Sequence, residues 1–216
     1  IITEYYFFNK KSKKELNKTV SLDENSKKNF QKLKRSKKGG ILFSAHFGNW
    51  EVGGKYLTLN GFKCKTLYRP FNNKYVDQLI SIDKRKNINL ISKGLTGNKE
   101  IIKSLKNGEF IIVLADQRVG DGIEVPFFGR KALTSPSLAK LVLKYNIPLV
   151  PIRIIRKNNE TNFNMEILDP LDITKDKELT MDKKIYKITK EINKTLEGWI
   201  RQCPEQWFWV HNRWKK

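Results

Sequence analysis

The chain has 216 residues, of which 39% are hydrophobic and 11% aromatic, enough apolar material for one globular domain with a core of its own. This composition argues against a disordered chain, and its two cysteines, Cys64 and Cys203, stand too far apart to suggest a zinc site or a disulfide framework. The net charge of +21 points to an anionic partner such as nucleic acid, a phospholipid surface, a phosphorylated substrate or an acidic carrier protein. Because 34 of the 43 basic residues are Lys, a solvated surface that reflects AT-rich codon usage explains the excess equally well.

The first 38 residues are polar and rich in Lys, with apolar residues too sparse to predict a core helix. We interpret residues 1–38 as a basic approach segment and residues 39–216 as the domain. No apolar run approaches the ~20 residues that span a bilayer. Since the chain begins at Ile1 without Met, we expect an upstream segment to be missing, and a membrane anchor could lie in it.

Strands and helices alternate after Gly39-Gly40. The pattern predicts strands at 41–45, 63–68, 89–91, 110–114, 149–155 and 163–168, and helices at 49–60, 76–83, 99–106, 135–145 and 185–199. Residues 116–132 are predicted to form a long loop that contains glycine. This order predicts an α/β fold in which a mainly parallel central sheet is flanked by helices.

His46 is the first candidate for chemistry, because it follows a buried strand and precedes a helix. Glu51 lies five residues later, and in one straight helix the two side chains would point roughly 140° apart. The spacing works if His46 is in the turn and Glu51 in the first helical turn, where its carboxylate could fix the imidazole tautomer. The substrate's own hydroxyl would then be the nucleophile, Gly48 would allow close approach of the backbone, and amides at the helix start would favour an oxyanion. A histidine that merely caps or packs at the strand end fits these residues too.

Other catalytic or nucleotide-binding patterns are weak or missing. The sequence contains no G-x-S-x-G, Walker A or G-x-G-x-x-G motif, and Ser44 lies within the strand without a turn to expose it.

Five sequence blocks follow one another between about residue 39 and the end of the chain. The blocks are Ser44-Ala-His46-Phe-Gly-Asn-Trp-Glu51; Tyr68-Arg69-Pro70; Leu114-Ala-Asp116-Gln117 with Val125-Pro-Phe-Phe-Gly129, Ala132 and Thr134; Ile147-Pro-Leu-Val-Pro151; and Pro204-Glu-Gln-Trp-Phe-Trp-Val-His211-Asn-Arg213-Trp-Lys. In this order they resemble the bacterial lipid A acyltransferases, within the wider His-x4-Asp/Glu glycerolipid acyltransferases. The third block carries Asp-Gln in place of the Glu-Gly-Thr-Arg of the glycerol-phosphate branch, which favours the lipid A branch.

The resemblance implies a glycerolipid-acyltransferase-like fold and acyl transfer from a thioester on acyl carrier protein to a hydroxyl of an anionic lipid A precursor. It implies His46 as general base and Glu51 as its partner, without metal, cofactor or covalent acyl-enzyme. It also implies a membrane surface as partner, at the cytoplasmic face of the bacterial inner membrane, and no nucleic acid. The residues expected to bind substrate are Asn49, Arg69, Arg85, Asp116 and Gln117.

Three other functions compete with this interpretation. The acceptor could be another glycolipid, an aminolipid or a lysophospholipid. Charge and interleaved aromatic residues would also suit a nucleic-acid-binding module, although the buried-strand context of His46 argues against it. In a thioesterase, water would replace the alcohol.

Overall fold

The computed structural model describes residues 2–70, 72–73, 75, 77–78, 88–158, 161–173, 178–209 and 211–214. Its helices are α1 (Ile2–Lys10), α2 (Lys13–Thr19), α3 (Glu24–Arg35), α4 (Trp50–Leu59), α5 (Leu95–Lys106), α6 (Ser137–Tyr145) and α7 (Met181–Gln202), with a 3-10 turn at Pro204–Gln206. Its strands are β1 (Val20–Ser21), β2 (Gly40–Ser44), β3 (Cys64–Tyr68), β4 (Leu90–Ser92), β5 (Phe110–Leu114), β6 (Ile123–Phe127), β7 (Arg130–Thr134), β8 (Leu149–Arg156) and β9 (Phe163–Ile167).

Seven of the described strands form one sheet in the order β1-β9-β8-β2-β5-β3-β4. Neighbouring strands are parallel, except that β8 and β9 are antiparallel. All five residues of β2 are buried, as expected of a central strand covered on both faces. The prediction of an α/β fold with a mainly parallel sheet between helices is confirmed.

Each face of the sheet has its own apolar cluster, because successive side chains of a strand point to opposite faces. Ile41 and Phe43 of β2 pack with α6 and α7, the latter presenting Ile192 and Leu196. Leu42 packs on the other side with residues of α1 to α4. The sheet is therefore covered by the N-terminal helices on one face and by the C-terminal helices on the other.

The N-terminal residues belong to this core, which differs from the approach segment that the sequence suggested for residues 1–38. Leu16, Val20, Phe30 and Leu33 are buried in the same cluster as Leu42. Few apolar residues suffice here because they lie on one face of each helix, as in α3, while the Lys residues face solvent.

Two other predictions need comment. The predicted loop 116–132 contains most of a hairpin, since β6 and β7 pair antiparallel outside the main sheet. Most of the predicted helix 76–83 lies outside the described residues. Within the part of the chain that is described, no helix is both long enough and apolar enough to cross a bilayer.

Candidate active site

The candidate site lies where β2 and β5 end together. These parallel strands pair residue for residue from Gly40 with Phe110 to Ser44 with Leu114, and the Ala115 amide donates to the Ser44 carbonyl at 2.8 Å. Two residues beyond each strand come His46 and Asp116, so the shared register carries them to the same level. This is the carboxyl edge of the sheet, where α/β proteins usually bind ligands.

His46 and Asp116 form a close pair. The Nδ1 atom of His46 lies 2.8 Å from Oδ1 of Asp116, and the backbone amide of His46 donates to Oδ2 at 3.1 Å. Trp207 donates its indole Nε1–H to the same Oδ2 at 2.9 Å. The carboxylate side chain is 3% exposed, whereas the imidazole is 18% exposed and can meet a substrate.

Opposing effects act on the pKa of Asp116. Burial alone would raise it, but the hydrogen bonds and charge of His46, together with the indole of Trp207, outweigh burial and lower the pKa below its usual value. The group is therefore an ionised carboxylate at neutral pH. Because a carboxylate only accepts hydrogen bonds, it places the imidazole proton on Nδ1 and leaves a lone pair on Nε2.

The other side of the imidazole is lined by polar and aromatic groups. The amide nitrogen of Gln117 lies 3.4 Å from Nε2 of His46. The ring of Trp50 meets the imidazole edge to face, with centroids 4.8 Å apart, and Phe208 lies 6.0 Å from Trp50. Phe208 and Trp209 are 49% and 58% exposed, and Trp209 stacks on Trp207, so an exposed apolar surface lies near the pair.

Gly48 shapes the turn between β2 and α4. Its φ is +55°, and a Cβ there would lie 2.2 Å from the carbonyl oxygen of Ile154, so only glycine allows this approach to β8. The role expected of Gly48 at the reacting group stays a prediction. Its own amide donates to the carbonyl of Gln206 at 2.8 Å, so that N–H is occupied and not directed at an oxyanion.

Asn49 is the N-cap of α4, and Glu51 lies in the first turn of that helix. The sequence suggested that Glu51 bonds one imidazole nitrogen of His46, and in the structure Asp116 contacts Nδ1. Glu51 lines a small cavity with Asn49 and Lys55, and its catalytic role stays a prediction. Asn49 caps α4 through Val52 at 3.4 Å and donates to Glu4 at 3.0 Å, so both ends of its buried amide have partners within the protein. Its substrate contact stays a prediction.

Of the two arginines that were predicted to bind anions, the structure describes one. Arg69 is exposed immediately after β3, which neighbours β5, so it reaches the same edge of the sheet as Asp116. Arg85 lies outside the described residues. Gln117 adjoins His46, as stated above, and all these binding roles stay predictions.

Two residues beside the site were not predicted to act in it. Trp207 touches Asp116, and Arg213 is 1% exposed, with its guanidinium donating to the Leu133 carbonyl at 2.8 Å and the Thr134 hydroxyl at 2.6 Å. Burial lowers the pKa of Arg213 to about 10, while the negative charge of Asp116 opposes that shift. The available signal in the sequence was that Trp207 and Arg213 both belong to the C-terminal block. That block lies far from Asp116 in the sequence, and only the fold brings the two together.

Features that would indicate another kind of site lie elsewhere or are missing. Among the described residues, no group of three or more His, Cys, Asp or Glu side chains is placed to hold a metal ion. A basic cleft lined by Lys34, Arg35, Lys37 and Lys63 lies at the amino edge of the sheet, opposite His46. Its lining fits a solvated surface better than a reaction site.

Comparisons with known proteins match the chain to one family. The family described as bacterial lipid A biosynthesis acyltransferase matches residues 1–216. The chain is similar to a lipid A biosynthesis acyltransferase of Haemophilus influenzae, with 27% identity over 83% of this chain and 55% of that protein. It is also similar to the lipid A biosynthesis lauroyltransferase of Escherichia coli, with 28% identity over 85% and 58%, and to the palmitoleoyltransferase of that organism, with 22% identity over 87% and 59%.

The chain therefore spans little more than half the length of these relatives. The family match nevertheless covers every residue, including both strand ends that carry His46 and Asp116. The chain belongs to the bacterial lipid A biosynthesis acyltransferase family.

Proposed function

We propose that this protein transfers a fatty acyl group from a thioester on acyl carrier protein to a hydroxyl of a lipid A precursor, with His46 as general base. The observation that carries the proposal is the 2.8 Å contact between His46 Nδ1 and the buried carboxylate of Asp116, at a strand end where the imidazole is partly exposed. Membership of the family supports the choice of acyl transfer over other reactions that a histidine can assist.

The reaction needs one proton acceptor and no protein nucleophile. The acceptor hydroxyl gives its proton to Nε2 of His46 as its oxygen attacks the thioester carbonyl carbon. The carbon–sulfur bond then breaks, and the departing thiolate takes the proton back from the imidazolium. Asp116 holds the imidazole in the required tautomer and stabilises its charged form, the role that the acidic member plays in hydrolase triads.

Both carboxylates near His46 enter the proposal, in different ways. Asp116 is the orienting group, since it contacts Nδ1 directly. Glu51 is the partner that the family resemblance implies, and it lies in the first turn of α4. We assign it to the binding or electrostatic environment of the reacting hydroxyl.

The charge and the apolar surface support the choice of substrates. An anionic lipid acceptor and an acidic carrier protein both complement a chain of net charge +21, and Arg69 is exposed at the carboxyl edge, where a phosphate would approach. Phe208 and Trp209 expose aromatic rings beside the site, as residues at a membrane interface do. These features support a site that works at the cytoplasmic surface of the bacterial inner membrane.

The test is an assay of the purified protein with a panel of acyl-carrier thioesters and acceptor lipids. Products are identified by mass spectrometry. We expect acylated lipid from the wild type and from His211→Ala, and none above background from His46→Ala. His211 is the matched control because it is the other histidine of the chain and is exposed.

Each competing function gives a different result in this assay. Release of free fatty acid without acylated lipid would identify a thioesterase. Acylation of a lysophospholipid or aminolipid alone would replace the acceptor but keep the mechanism. Salt-sensitive binding of RNA that survives His46→Ala, in a protein without transfer activity, would contradict the proposal.

A further inference from the structure

The segment after α7 is fastened to the turn that carries His46. Phe208 donates its amide to the His46 carbonyl at 2.7 Å, and Gly48 donates its amide to the Gln206 carbonyl at 2.8 Å. Phe47 and Trp207, which lie between these residues, form an antiparallel bridge. Backbone hydrogen bonds therefore fix the position of Trp207 relative to His46, independently of any contact that the indole makes.

The Gln206 side chain fastens the same segment to β8. Its Oε1 accepts the Arg156 amide at 2.8 Å, and its Nε2 donates to the Arg156 carbonyl at 3.1 Å. Two bonds to one residue hold this part of the backbone in a single register. The position of the following indole is therefore determined by the strand as well as by the turn.

The indole of Trp207 completes a set of donors on one carboxylate. Oδ1 of Asp116 is bound to the imidazole, and Oδ2 accepts both the His46 amide and the Trp207 Nε1–H. Bonds to both oxygens prevent the carboxylate from rotating about its terminal torsion, which is otherwise broad.

We propose that Trp207 is a positioning residue of the reaction, whose indole N–H holds Asp116 so that its other oxygen stays on Nδ1 of His46. The proposal rests on the proposed function, because it assigns a part in that chemistry. The proposed role depends on one hydrogen bond, which Trp207→Phe removes while an aromatic ring stays at this position.

The chain contains a close control in Trp214. Both indoles are half-buried, both rings lie near Phe127, at 6.0 Å for Trp207 and 5.8 Å for Trp214, and both donate hydrogen bonds of 2.9 Å. They differ in the acceptor, because Trp214 donates to the carbonyl of Phe127 and Trp207 to the carboxylate of Asp116. Replacing either with Phe removes one donor and keeps an aromatic ring.

Removing the indole donor should loosen the contact between Asp116 and His46. Oδ2 of Asp116 would then be held by the His46 amide alone, at 3.1 Å. The carboxylate could turn about its terminal torsion, and the contact between Oδ1 and Nδ1 of His46 would lengthen.

The experiment compares wild type, Trp207→Phe and Trp214→Phe in two measurements. The first is acyl transfer, for which we expect Trp207→Phe to lower kcat about tenfold and to leave KM within about twofold. The second is the NMR signal of the His46 Nδ1–H, which lies on Asp116 and should move and exchange faster with water in Trp207→Phe. The chain has two histidines, so His211 serves as the internal reference. Trp214→Phe should match the wild type in both.

An unchanged His46 Nδ1–H signal in Trp207→Phe, or an equal loss of kcat in Trp214→Phe, overturns the positioning role. The NMR measurement needs no substrate, so it tests the proposal even if the wild type transfers no acyl group, a result that would contradict the proposed function alone. If Trp207→Phe does not fold, the wild-type protein answers the question. The Nε1–H resonance of Trp207 should follow the titration of His46, and that of Trp214 should not; equal behaviour of the two resonances overturns the proposal.

Discussion

The two edges of the central sheet carry charge in opposite ways. At the amino edge, basic side chains such as Lys37 and Lys63 line an open cleft and are exposed. At the carboxyl edge, Asp116 is buried, and its pKa is set by its hydrogen bonds to His46 and Trp207. Water and salt screen an exposed charge, so its neighbours affect it little. Burial and hydrogen bonds to a partner, in contrast, shift the pKa of a charged group. The excess of positive charge in the sequence therefore does not locate the site, and one buried acid does.

The largest expected effect comes from removing that acid. Asp116→Asn keeps the shape of the side chain, but its amide no longer holds the proton of His46 on Nδ1. We expect acyl transfer to fall by about a thousandfold. Asp121→Asn is the control, since Asp121 is exposed on the same loop and carries the same charge. Circular dichroism checks that both variants fold.

Comparing Asp116→Asn with Glu51→Gln tests which of the two carboxylates orients the imidazole of His46. Asp116→Asn should remove the NMR signal of the His46 Nδ1–H and Glu51→Gln should keep it, because Asp116 lies 2.8 Å from Nδ1. Loss of the signal in Glu51→Gln alone would return the orienting role to the residue that the sequence suggested.

The two cysteines should differ in how fast they are alkylated, because one is buried and the other is partly exposed. Cys64 begins β3 at the amino edge, and burial raises the pKa of its thiol to about 12, whereas Cys203 follows α7 and is partly exposed. At pH 8 we expect iodoacetamide to modify Cys203 at least about a hundredfold faster than Cys64, as followed by mass spectrometry. Comparable rates would mean that the amino edge opens readily.

The raised pKa of the Cys64 thiol makes the stability of the protein depend on pH in the alkaline range. The neutral thiol of Cys64 is favoured in the folded protein, so its contribution to stability is complete below about pH 8.5, the ordinary pKa of a thiol. That contribution is lost as the pH rises toward the folded pKa of about 12. The free energy of unfolding of Cys64→Ala should vary less over this range than that of the wild type.

A buried cation on α4 should affect stability more than any cation of the amino edge. Lys55 is 3% exposed, and its ammonium donates to the carbonyls of Phe8 and Asn9, both at 2.7 Å, where a positive charge suits the C-terminus of α1. Lys55→Met leaves these carbonyls without that donor, and we expect a loss of about 1–3 kcal/mol in the free energy of unfolding, measured in urea. Lys18→Met, an exposed change on α2, should alter it by less than about 0.5 kcal/mol.

The smallest effect is expected at the basic cleft. Lys37→Glu combined with Lys63→Glu reverses two exposed charges there, and transfer at about 150 mM salt should change by less than about twofold. A loss of tenfold or more, recovered at low salt, would instead show that the amino edge takes part in binding the acidic donor.

The sequence predicted the central strands well, because their apolar runs are continuous and short. β5 was placed with both ends correct, and β2 and β8 within one residue. The hairpin β6–β7 was missed because Pro126 breaks the strand pattern and Phe128-Gly129 is an unusual turn. Both residues have positive φ, 52° and 73°, which hairpin turns of this kind require but Phe rarely adopts. The pattern I-E-V-P-F followed by R-K-A-L-T was the available signal.

The candidate site was predicted in part for the same reason. His46 was found because it ends a recognisable strand, and Asp116 because of its block, yet the sequence gave its orienting role to Glu51. Parallel pairing of β2 with β5 joins residues about 70 positions apart, and local spacing carries no record of that register. Each of the two residues does stand at the same offset from its strand, and that coincidence is the signal that would have linked them.

The shared register has a consequence for how this protein can change. Side chains within β2 and β5 can be exchanged for others of similar size, because the main-chain ladder sets the level of His46 and Asp116. A single residue inserted or deleted between β2 and His46, or between β5 and Asp116, would move one partner by about 3.3 Å and turn it to the other face. Sequence length between Gly40 and His46, and between Phe110 and Asp116, is therefore under stricter constraint than sequence identity.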